Sequence, residues 1–258
     1  MRIALLSDIH GNLVALDATL SDLAQQRVAQ VVCLGDIALS GPQPHECVAR
    51  IRTLGCPTVM GNCDAFALRL RREGRTPDLM RSYARWGAWV AEIDVWSAKA
   101  LSAEDAAYLA ALPLTTTIAL DATDTPEPGA TLLCAHGSPR SFNHRLLPET
   151  PADDLATLVG PVETLALASG HTHLSMLRRL GPLTLVNPGS VGLPMATDDA
   201  GALYNPADYA EYGILTWQAG ALDWEPRRVA VDGAAVRAMA LASGMPHAER
   251  WRGDWSRA

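Results

Sequence analysis

The chain of 258 residues lacks the features of several large protein classes. No segment approaches the ~20 apolar residues that a membrane-spanning helix needs. The five cysteines are odd in number and form no CxxC pair, which argues against a disulfide framework and against a zinc knuckle. Neither a P-loop nor the G-x-S-x-G spacing of a serine hydrolase occurs, so the sequence gives no support to either of those enzyme classes.

An excess of positive charge is also missing, because the formal net charge is −7. An acidic surface repels phosphate backbones, so we expect no general nucleic-acid binding. Hydrophobic residues make up 48% of the chain and charged residues 19%, a composition that excludes a disordered protein. The apolar run at the start is shorter than a signal-peptide core, so we expect a cytoplasmic protein without membrane association. The sequence leaves the oligomeric state open.

The first sixty residues alternate short apolar runs with helical patterns. Strands are predicted at Ile3–Ser7, Val31–Leu34 and Pro57–Met60. Helices are predicted from the N-cap Asn12 onward and over Pro44–Leu54. This β-α-β-α-β order favours a parallel sheet with short crossovers.

A helical, cap-like insertion is predicted at about residues 65–112, broken at Pro77 and capped by Ser102 with Asp105. Its arginines form a basic run that we interpret as a solvated helix face; the alternative is that they border the site and select anionic substrates. The later predicted elements are strands at Leu114–Leu120, Thr131–Ala135, Leu165–Ala168, Leu174–Leu180, Leu183–Val186, Tyr212–Trp217 and Arg228–Val231, a hairpin loop at Asp121–Gly129 and a helix over Asp232–Leu241. No repeat or linker is evident, so we predict one domain over residues 1–258.

Five short polar motifs each follow directly after a predicted apolar strand. They are Asp8-Ile9-His10, Gly35-Asp36, Gly61-Asn62-Cys63-Asp64, His136-Gly137 and Gly170-His171-Thr172-His173. Taken singly, each motif also fits a structural role, such as a capped turn, a helix start or a core histidine. In open α/β sheets, however, ligands bind at the carboxyl ends of the strands. We therefore expect the polar side chains of all five motifs to converge on one crevice.

The side chains of these motifs form a set of candidate metal ligands. The set is Asp8, His10, Asp36, Asn62, His136, His171 and His173. Imidazole, carboxylate and amide without thiolate suit Mn²⁺, Fe, Zn²⁺, Co²⁺ or Ni²⁺. Seven ligands are too many for one tetrahedral ion but suffice for two ions if one carboxylate bridges them. Two ions about 3.5–4 Å apart can clamp the attacking and leaving oxygens of a phosphoryl transfer.

The formal charges of such a site favour a singly charged substrate. Two divalent ions bring four positive charges, of which Asp8 and Asp36 cancel two and a bridging hydroxide a third. One positive charge remains, which suits a phosphodiester anion. The metals would also lower the pKa of the water toward about 7.

The ordered motif set resembles the signature of the calcineurin-like metallophosphoesterases, which is D-x-H, G-D, G-N-(H/C)-(D/E), H and G-H-x-H. The resemblance runs from Met1 to about Pro194. It implies an α/β fold, a four-layer α-β-β-α sandwich of two mixed sheets, here with the helical insertion. It also implies two divalent cations, with Mn²⁺ the first candidate and Fe, Zn²⁺, Co²⁺ or Ni²⁺ as alternatives.

The resemblance further implies a role for each candidate ligand. Asp8, His10, Asp36 and His173 would hold the first metal. Asp36, Asn62, His136 and His171 would hold the second, with Asp36 bridging. The metal-bridging hydroxide would attack phosphorus in line, and Asp36, Asn62 and His136 would act in catalysis through it.

Cys63 stands where many relatives carry a histidine that protonates the leaving group, which puts general-acid catalysis from this position in doubt. The cysteine form resembles a bacterial and archaeal branch associated with phosphodiesterase activity, so we expect a phosphodiesterase acting on a small phosphate ester. The alternatives are a phosphomonoesterase, of the protein Ser/Thr phosphatase or dinucleotide polyphosphate hydrolase type, and a noncatalytic scaffold on the same fold.

Three residues outside the motifs have open roles. Arg140 could aim its guanidinium at a phosphate oxygen, and a surface salt bridge is the other reading. Trp251 and Trp255 lie in a polar tail that could dock on the body, join a partner or stay disordered.

Overall fold

The structure, a computed structural model, describes residues 1–81, 83, 87–120, 130–197, 203–204 and 208–251. The strands among them are β1 (Arg2–Leu6), β2 (Gln30–Cys33), β3 (Thr115–Ala119), β4 (Thr131–Ala135), β5 (Ala166–Ala168), β6 (Met176–Leu180), β7 (Leu183–Asn187), β8 (Ala196–Thr197), β9 (Leu203–Tyr204), β10 (Tyr209–Gln218) and β11 (Ala221–Ala230). The helices are α1 (Leu13–Leu23), α2 (Pro44–Leu54), α3 (Asn62–Glu73), α4 (Pro77–Arg81), α5 (Ala88–Ala100), α6 (Ala103–Ala110), α7 (Ala152–Val159) and α8 (Gly233–Ala242). The predicted hairpin loop at Asp121–Gly129 lies outside the described residues.

The strands form two mixed sheets. In the first, the order is β11-β10-β1-β2, with β1 parallel to β2 and antiparallel to β10. In the second, the order is β3-β4-β5-β7-β6, with the three central strands parallel and both edge strands antiparallel. The prediction of two mixed sheets is confirmed. The opening strands β1 and β2 are parallel, as the β-α-β order predicts, and β10 makes this sheet mixed because it adds antiparallel to β1 from the far end of the chain.

The two sheets pack face to face as inner layers, with helices outside them. Successive side chains of a strand point to opposite faces of its sheet, so each strand contributes to two cores. In β1, Ile3 and Leu5 pack between the two sheets, while Ala4 and Leu6 join the core shared with the helices.

The second sheet follows the same rule on its own two faces. In β4, Cys134 lies in the core between the sheets, and Ala135 packs with Leu155 and Val159 of α7 on the outer side. The result is the predicted four-layer α-β-β-α sandwich.

The predicted strand at Pro57–Met60 is reduced to a single bridge. Thr58 alone forms a parallel bridge, with Cys33 of β2. The amide of Val59 donates to the carbonyl oxygen of Cys33, and the amide of Met60 donates on the other side to the carbonyl oxygen of Pro113, just before β3. The prediction of a full third strand is therefore wrong, but the segment still delivers the following Gly61-Asn62 motif next to β2.

The late strands are longer than predicted. β10 and β11 pair along their whole length as one hairpin, whereas the sequence predicts only Tyr212–Trp217 and Arg228–Val231. Pro226 interrupts the strand pattern of β11 in the sequence, but β11 is an edge strand, where proline is tolerated.

The helical stretch predicted at about residues 65–112 contains α4, α5, α6 and most of α3. The predicted capping box is present, because the amide of Asp105 donates to Ser102 Oγ and the amide of Ser102 donates to Asp105 Oδ2. Residues 82 and 84–86 of this stretch lie outside the described part. The assignment of residues 1–258 to one domain stays a prediction.

Two peripheral parts of the chain converge on Ser40, in the loop after β2. From α5, Asp94 Oδ1 accepts a hydrogen bond from Ser40 Oγ at 2.8 Å, and Asp94 Oδ2 accepts one from the hydroxyl of Tyr83 at 2.7 Å. From the C-terminal segment, Trp251 is buried and donates from Nε1 to the carbonyl oxygen of Ser40. The tail thus docks on the body through Trp251; Trp255 lies outside the described residues.

Among the described residues, no helix has both the length and the apolar character that crossing a bilayer would need.

The layered core predicts a contrast between two leucines on neighbouring strands. Leu185 of β7 is 1% exposed in the core beside α7, and Leu177 of β6 is 55% exposed. We expect Leu185→Ala to lower the free energy of unfolding by about 2–5 kcal/mol because it leaves a cavity. The control Leu177→Ala should change it by less than about 0.5 kcal/mol. Urea unfolding measures both, and equal losses would contradict the layer assignment.

Candidate metal centre

Five of the seven predicted ligands share an uncommon backbone conformation. Asp8, His10, Asp36, His171 and His173 have φ between +49° and +67°. This left-handed region costs a residue other than glycine about 1–3 kcal/mol, persists only where surrounding contacts impose it, and clusters at functional sites. The backbone therefore marks the same positions that the motifs predict.

Hydrogen bonds between neighbouring loops impose this conformation. The amide of Asp8 donates to the carbonyl oxygen of Gly35, and the amide of His10 donates to that of Asp36, both at 3.0 Å. On the other side, the amide of Gly170 donates to the carbonyl oxygen of His136 at 2.7 Å. The loops after β1 and β2 are thus joined, as are those after β4 and β5.

Two glycines are required because side chains of the site approach their backbone closely. A Cβ at Gly61 would lie 2.0 Å from Asp36 Oδ1, and one at Gly170 would lie 1.9 Å from Ser7 Oγ. No larger residue fits at either position without displacing the site.

Asp8, His10 and His173 form the first group of candidate ligands, with ligand atoms all within 4.8 Å of one another. The two imidazoles face each other, with 3.0 Å between their Nε2 atoms. Each is oriented from behind, because Nδ1 of His10 donates to the carbonyl oxygen of Leu39 and Nδ1 of His173 donates to that of Leu193. A histidine held through Nδ1 in this way presents Nε2 to a metal.

Asp8 supplies the observation that tests whether a cation fits this group. Its Oδ2 accepts hydrogen bonds from Ser7 Oγ and from the amide of His171, at 2.6 and 3.0 Å. Its Oδ1 is fully buried, accepts no hydrogen bond and lies 3.3 Å from His173 Nε2. A buried carboxylate oxygen without a donor is costly unless a cation satisfies it, so the residues fit a metal ion.

Asp36, His136 and His171 form the second group, again within 4.8 Å. His136 donates from Nδ1 to the carbonyl oxygen of Leu34 at 2.7 Å, which leaves Nε2 toward the group. Asn62 Oδ1 lies 2.9 Å from this Nε2. The predicted first and second ligand sets are therefore both brought together.

Asp36 lies between the two groups. Its Oδ2 is 3.3 Å from His136 Nε2 in the second group and 3.9 Å from His10 Nε2 in the first. Its Oδ1 accepts a hydrogen bond from the amide of Cys63 at 2.7 Å. One oxygen is thus anchored to the start of α3, and the other faces both sets of imidazoles, as a bridging ligand requires.

Asp64 positions Asp36, a role that the sequence analysis does not assign. Its two oxygens accept hydrogen bonds from the amides of Asp36, Ile37 and Gly61, at 2.8, 2.9 and 3.1 Å. Burial, together with the charge of Asp36, raises the pKa of Asp64 to about 6. The sequence signal was an acid three residues after Gly61, which is the capping-box position of α3.

Ser190 and Asn187 hold the loops of the first group from the opposite side. Ser190 Oγ donates to the carbonyl oxygen of Asp8, and Asn187 Nδ2 donates to that of Gly170, both at 2.7 Å. These residues belong to the Asn187–Ser190 segment, which lies within the motif resemblance but was assigned no role in the site.

Burial and neighbouring charges raise the pKa of two of the four histidines and lower the pKa of the other two. Burial lowers the pKa of His136, but the charge of Asp36 outweighs it and raises the pKa to about 9. At His173, burial likewise lowers the pKa, but the charge of Asp8 outweighs it and the pKa is raised. The pKa of His10 is lowered by burial and by His173. Without a metal, the pKa is therefore raised at one imidazole of each group, His173 in the first and His136 in the second.

Burial and neighbouring charges also set the pKa values of the remaining ligands. Burial and the charge of His136 lower the pKa of His171 to about 4. Burial would raise the pKa of Asp8, but the imidazoles, His173 first, lower it to about 2. The pKa of Asp36 is lowered in the same way, against burial and chiefly by His136. Both carboxylates are thus ionised at neutral pH.

Cys63 lies beside the two groups. Its Sγ is within 4.8 Å of ligand atoms of His10 and Asp36 and accepts a hydrogen bond from Asn62 Nδ2 at 3.4 Å. Burial, and next the charge of Asp36, raise the pKa of its thiol well above the usual value. The thiol is therefore a poor proton donor to a leaving group at neutral pH.

The other candidate residues have contacts of their own. Arg140 is exposed and donates from Nη1 to the carbonyl oxygen of Thr157 at 3.0 Å, so its contact with a phosphate stays a prediction. In the basic run, Arg69 and Arg72 pair with Glu73 on an exposed helix face, which favours the solvated-face interpretation.

Metal binding should release protons from this site. At pH 7 His136, with its pKa of about 9, carries a proton on Nε2 that a cation must displace. We expect Mn²⁺ affinity to rise with pH up to about pH 9, by up to about tenfold per unit. Isothermal titration at one pH in two buffers of different ionisation enthalpy measures the release. The control His45→Gln, at a half-exposed position outside both groups, should leave the number of protons released on Mn²⁺ binding unchanged. Equal heats in the two buffers would contradict the displacement of a proton.

Comparison with known proteins identifies the family of this chain. The calcineurin-like phosphoesterase superfamily domain matches residues 1–205. An uncharacterized protein of Methanocaldococcus jannaschii is 30% identical over 207 residues, which are 74% of this chain and 76% of that protein.

Two solved structures extend over almost the whole chain. A metallophosphoesterase from Sphaerobacter thermophilus is 28% identical with a TM-score of 0.71, covering 99% of this chain and 98% of its own. A hypothetical protein from Pyrococcus horikoshii OT3 shares the fold, with a TM-score of 0.76 at 19% identity and coverage of 98% of each chain. On this evidence, the chain belongs to the calcineurin-like phosphoesterase superfamily.

Proposed function

We propose that this protein is a phosphodiesterase that uses two divalent cations to hydrolyse a small phosphate ester. The observation that carries the proposal is Asp36 Oδ2, which faces His136 in one group of candidate ligands and His10 in the other. Membership of a metallophosphoesterase superfamily supports hydrolysis and divalent metals. The count of two ions rests on the two ligand groups.

The ligand assignment follows the two groups. Asp8, His10 and His173 would hold one ion, His136, His171 and Asn62 the other, and Asp36 would be shared. When bound, the ions supply Lewis-acid activation of water and neutralise the charge that develops on the phosphoryl oxygens. We propose Mn²⁺ as the first candidate; the nitrogen and oxygen atoms of the two groups also suit Fe, Zn²⁺, Co²⁺ or Ni²⁺.

Hydrogen bonds within the chain hold the candidate ligands in place before any substrate binds. The carbonyl oxygens of Leu34, Leu39 and Leu193 hold three imidazoles in the tautomer that turns Nε2 toward the site. Asp64 fixes the backbone of Asp36 through its amide. These contacts exist before any substrate binds, so little reorganisation is needed at the moment of reaction.

Charge favours a diester over a monoester. Asp8 and Asp36 are ionised and buried at the site, and Asp64 lies directly behind Asp36. These three carboxylates would cancel three of the four positive charges that two divalent cations bring, and a diester monoanion neutralises the one that remains, whereas a monoester dianion leaves an excess of negative charge. Cys63 retains its proton, so this position favours leaving groups that depart without one. The net charge of −7 supports a small substrate rather than general nucleic-acid binding, and the cytoplasmic location stays a prediction.

Asp36→Asn tests the shared ligand. The amide keeps the shape of the side chain but loses the charge that both ligand groups use, so kcat/KM for bis-p-nitrophenyl phosphate should fall by at least about 100-fold. Asp154→Asn, on the exposed face of α7, is the matched control and should keep normal activity. Near-normal turnover by Asp36→Asn would refute the assignment.

The substrate preference has its own test. With Mn²⁺ present, kcat/KM for bis-p-nitrophenyl phosphate should exceed that for p-nitrophenyl phosphate by at least about tenfold, which corresponds to about 1.4 kcal/mol. The reverse order would establish a monoesterase. Hydrolysis of neither compound, nor of any ester in a broad panel, by the metal-loaded protein would favour a noncatalytic scaffold.

A further inference from the structure

A third group of possible metal ligands overlaps the two that the proposed function uses. It consists of His10, Asp36 and Cys63, whose ligand atoms all lie within 4.8 Å of one another. His10 comes from the first group and Asp36 is the shared carboxylate. A cation held by this third group would therefore take one ligand away from each ion of the proposed pair.

Cys63 gives this group a chemistry that the other two lack. A thiolate is a soft ligand that selects Zn²⁺ over Mn²⁺, whereas carboxylate and imidazole accept either ion. On binding, the thiol proton passes to the buffer and the sulfur coordinates as thiolate. The other two groups also bind Zn²⁺ more tightly than Mn²⁺, and the sulfur of the third group widens this preference.

The structure holds Cys63 in place for such a role. The first turn of α3 is fixed from the backbone, because the amide of Cys63 donates to Asp36 Oδ1 and the amide of Gly61 donates to Asp64 Oδ2. Cys63 is only half-buried, which leaves a path from solvent. Nearby, the fully buried Asp8 Oδ1 accepts no hydrogen bond and lies 3.9 Å from His10 Nε2, so an unsatisfied acceptor faces the same imidazole.

The other cysteines do not offer this arrangement. Cys33, Cys47 and Cys134 are buried in the hydrophobic cores. Cys56 is half-buried like Cys63, but its Sγ lies 3.7 Å from Thr58 Oγ1, and it belongs to none of the three ligand groups found among the described residues. Cys56 is therefore a matched control in exposure and residue type.

We propose that His10, Asp36 and Cys63 form an alternative site for a thiophilic cation, Zn²⁺ above all, and that its occupation excludes the Mn²⁺ pair. The consequence for activity rests on the proposed function: excess Zn²⁺ inhibits the Mn²⁺-loaded protein by competing for His10 and Asp36. The site is selective because only the thiophilic ion gains from the sulfur.

Co²⁺ is the probe for the sulfur ligand, because Co²⁺ with a thiolate gives a sulfur-to-metal charge-transfer band in the near ultraviolet. The full-length protein, Cys63→Ser, Cys63→Ala and the control Cys56→Ser are titrated with Co²⁺. The wild type and Cys56→Ser should show the band, and both Cys63 variants should lack it. Circular dichroism and thermal unfolding identify a variant that fails to fold; the second substitution at Cys63 then carries the comparison.

Zn²⁺ competition measures the consequence. Zn²⁺ is titrated into protein preloaded with Mn²⁺, and the displaced Mn²⁺ is followed by electron paramagnetic resonance. In both Cys63 variants, Zn²⁺ should displace Mn²⁺ at concentrations at least about tenfold higher than in the wild type and in Cys56→Ser. Inhibition of bis-p-nitrophenyl phosphate hydrolysis by Zn²⁺ should shift in parallel.

The outcomes separate the two proposals. A charge-transfer band that is absent from the wild type, or that survives in the Cys63 variants, overturns the thiolate site. An unchanged Zn²⁺ competition curve in those variants does the same. If Mn²⁺-dependent hydrolysis is nevertheless present, the proposed function stands alone. If the band depends on Cys63 but no ester is hydrolysed, the thiolate site stands and the phosphodiesterase proposal fails.

Discussion

The structure depends on the burial of two ionised carboxylates, Asp8 and Asp36, among four imidazoles at the ends of the strands. A buried charge is tolerated only when it is paired or hydrogen-bonded, and Asp8 Oδ1 accepts no hydrogen bond and faces only imidazoles, the nearest being His173 at 3.3 Å. The imidazoles cannot all compensate by taking up protons, because burial and the charges of His173 and His136 hold the pKa values of His10 and His171 below the usual value. The arrangement is therefore electrostatically incomplete in a way that divalent cations complete.

Everything around the site serves to hold this arrangement. Strain in the left-handed residues is imposed by hydrogen bonds between adjacent loops, and Asp64 binds the backbone on which Asp36 sits. The helical insertion and the C-terminal segment also contact this region. Asp94 of α5 accepts a hydrogen bond from the side chain of Ser40, and Trp251 of the C-terminal segment donates one to its carbonyl oxygen. Ser40 directly follows Leu39, whose carbonyl oxygen orients His10. The helical insertion and the C-terminal segment thus contact the residue next to the one that orients His10.

The motifs carried the family resemblance that implied two mixed sheets, and their places after predicted strands indicated that their polar side chains converge. In the structure the side chains of all seven candidate ligands lie together. Local pattern was insufficient where distant contacts decide. Pro57–Met60 forms a single bridge rather than a full strand, and the amide of Met60 donates to the carbonyl oxygen of Pro113, far along the chain. The strands predicted for β10 and β11 were too short. Pro226 interrupts the strand pattern of β11 in the sequence, and only the strand order of the sheet shows that β11 is an edge strand, where proline is tolerated. Helix α7 was missed although Asp153 and Asp154 in its first turn and Gly160 at its end are ordinary helix signals. The closeness of Cys63 to His10 and Asp36 depends on how two loops meet, which no local pattern encodes.

We propose that one carboxylate, that of Asp36, serves two adjacent cation sites. Anomalous diffraction from crystals grown with Mn²⁺, recorded on either side of the manganese absorption edge, distinguishes one ion from two. We expect two manganese peaks about 3.5–4 Å apart, one beside Asp8, His10 and His173 and one beside His136 and His171, with Asp36 contacting both. A single peak, or manganese bound away from Asp36 at saturating concentration, would contradict it.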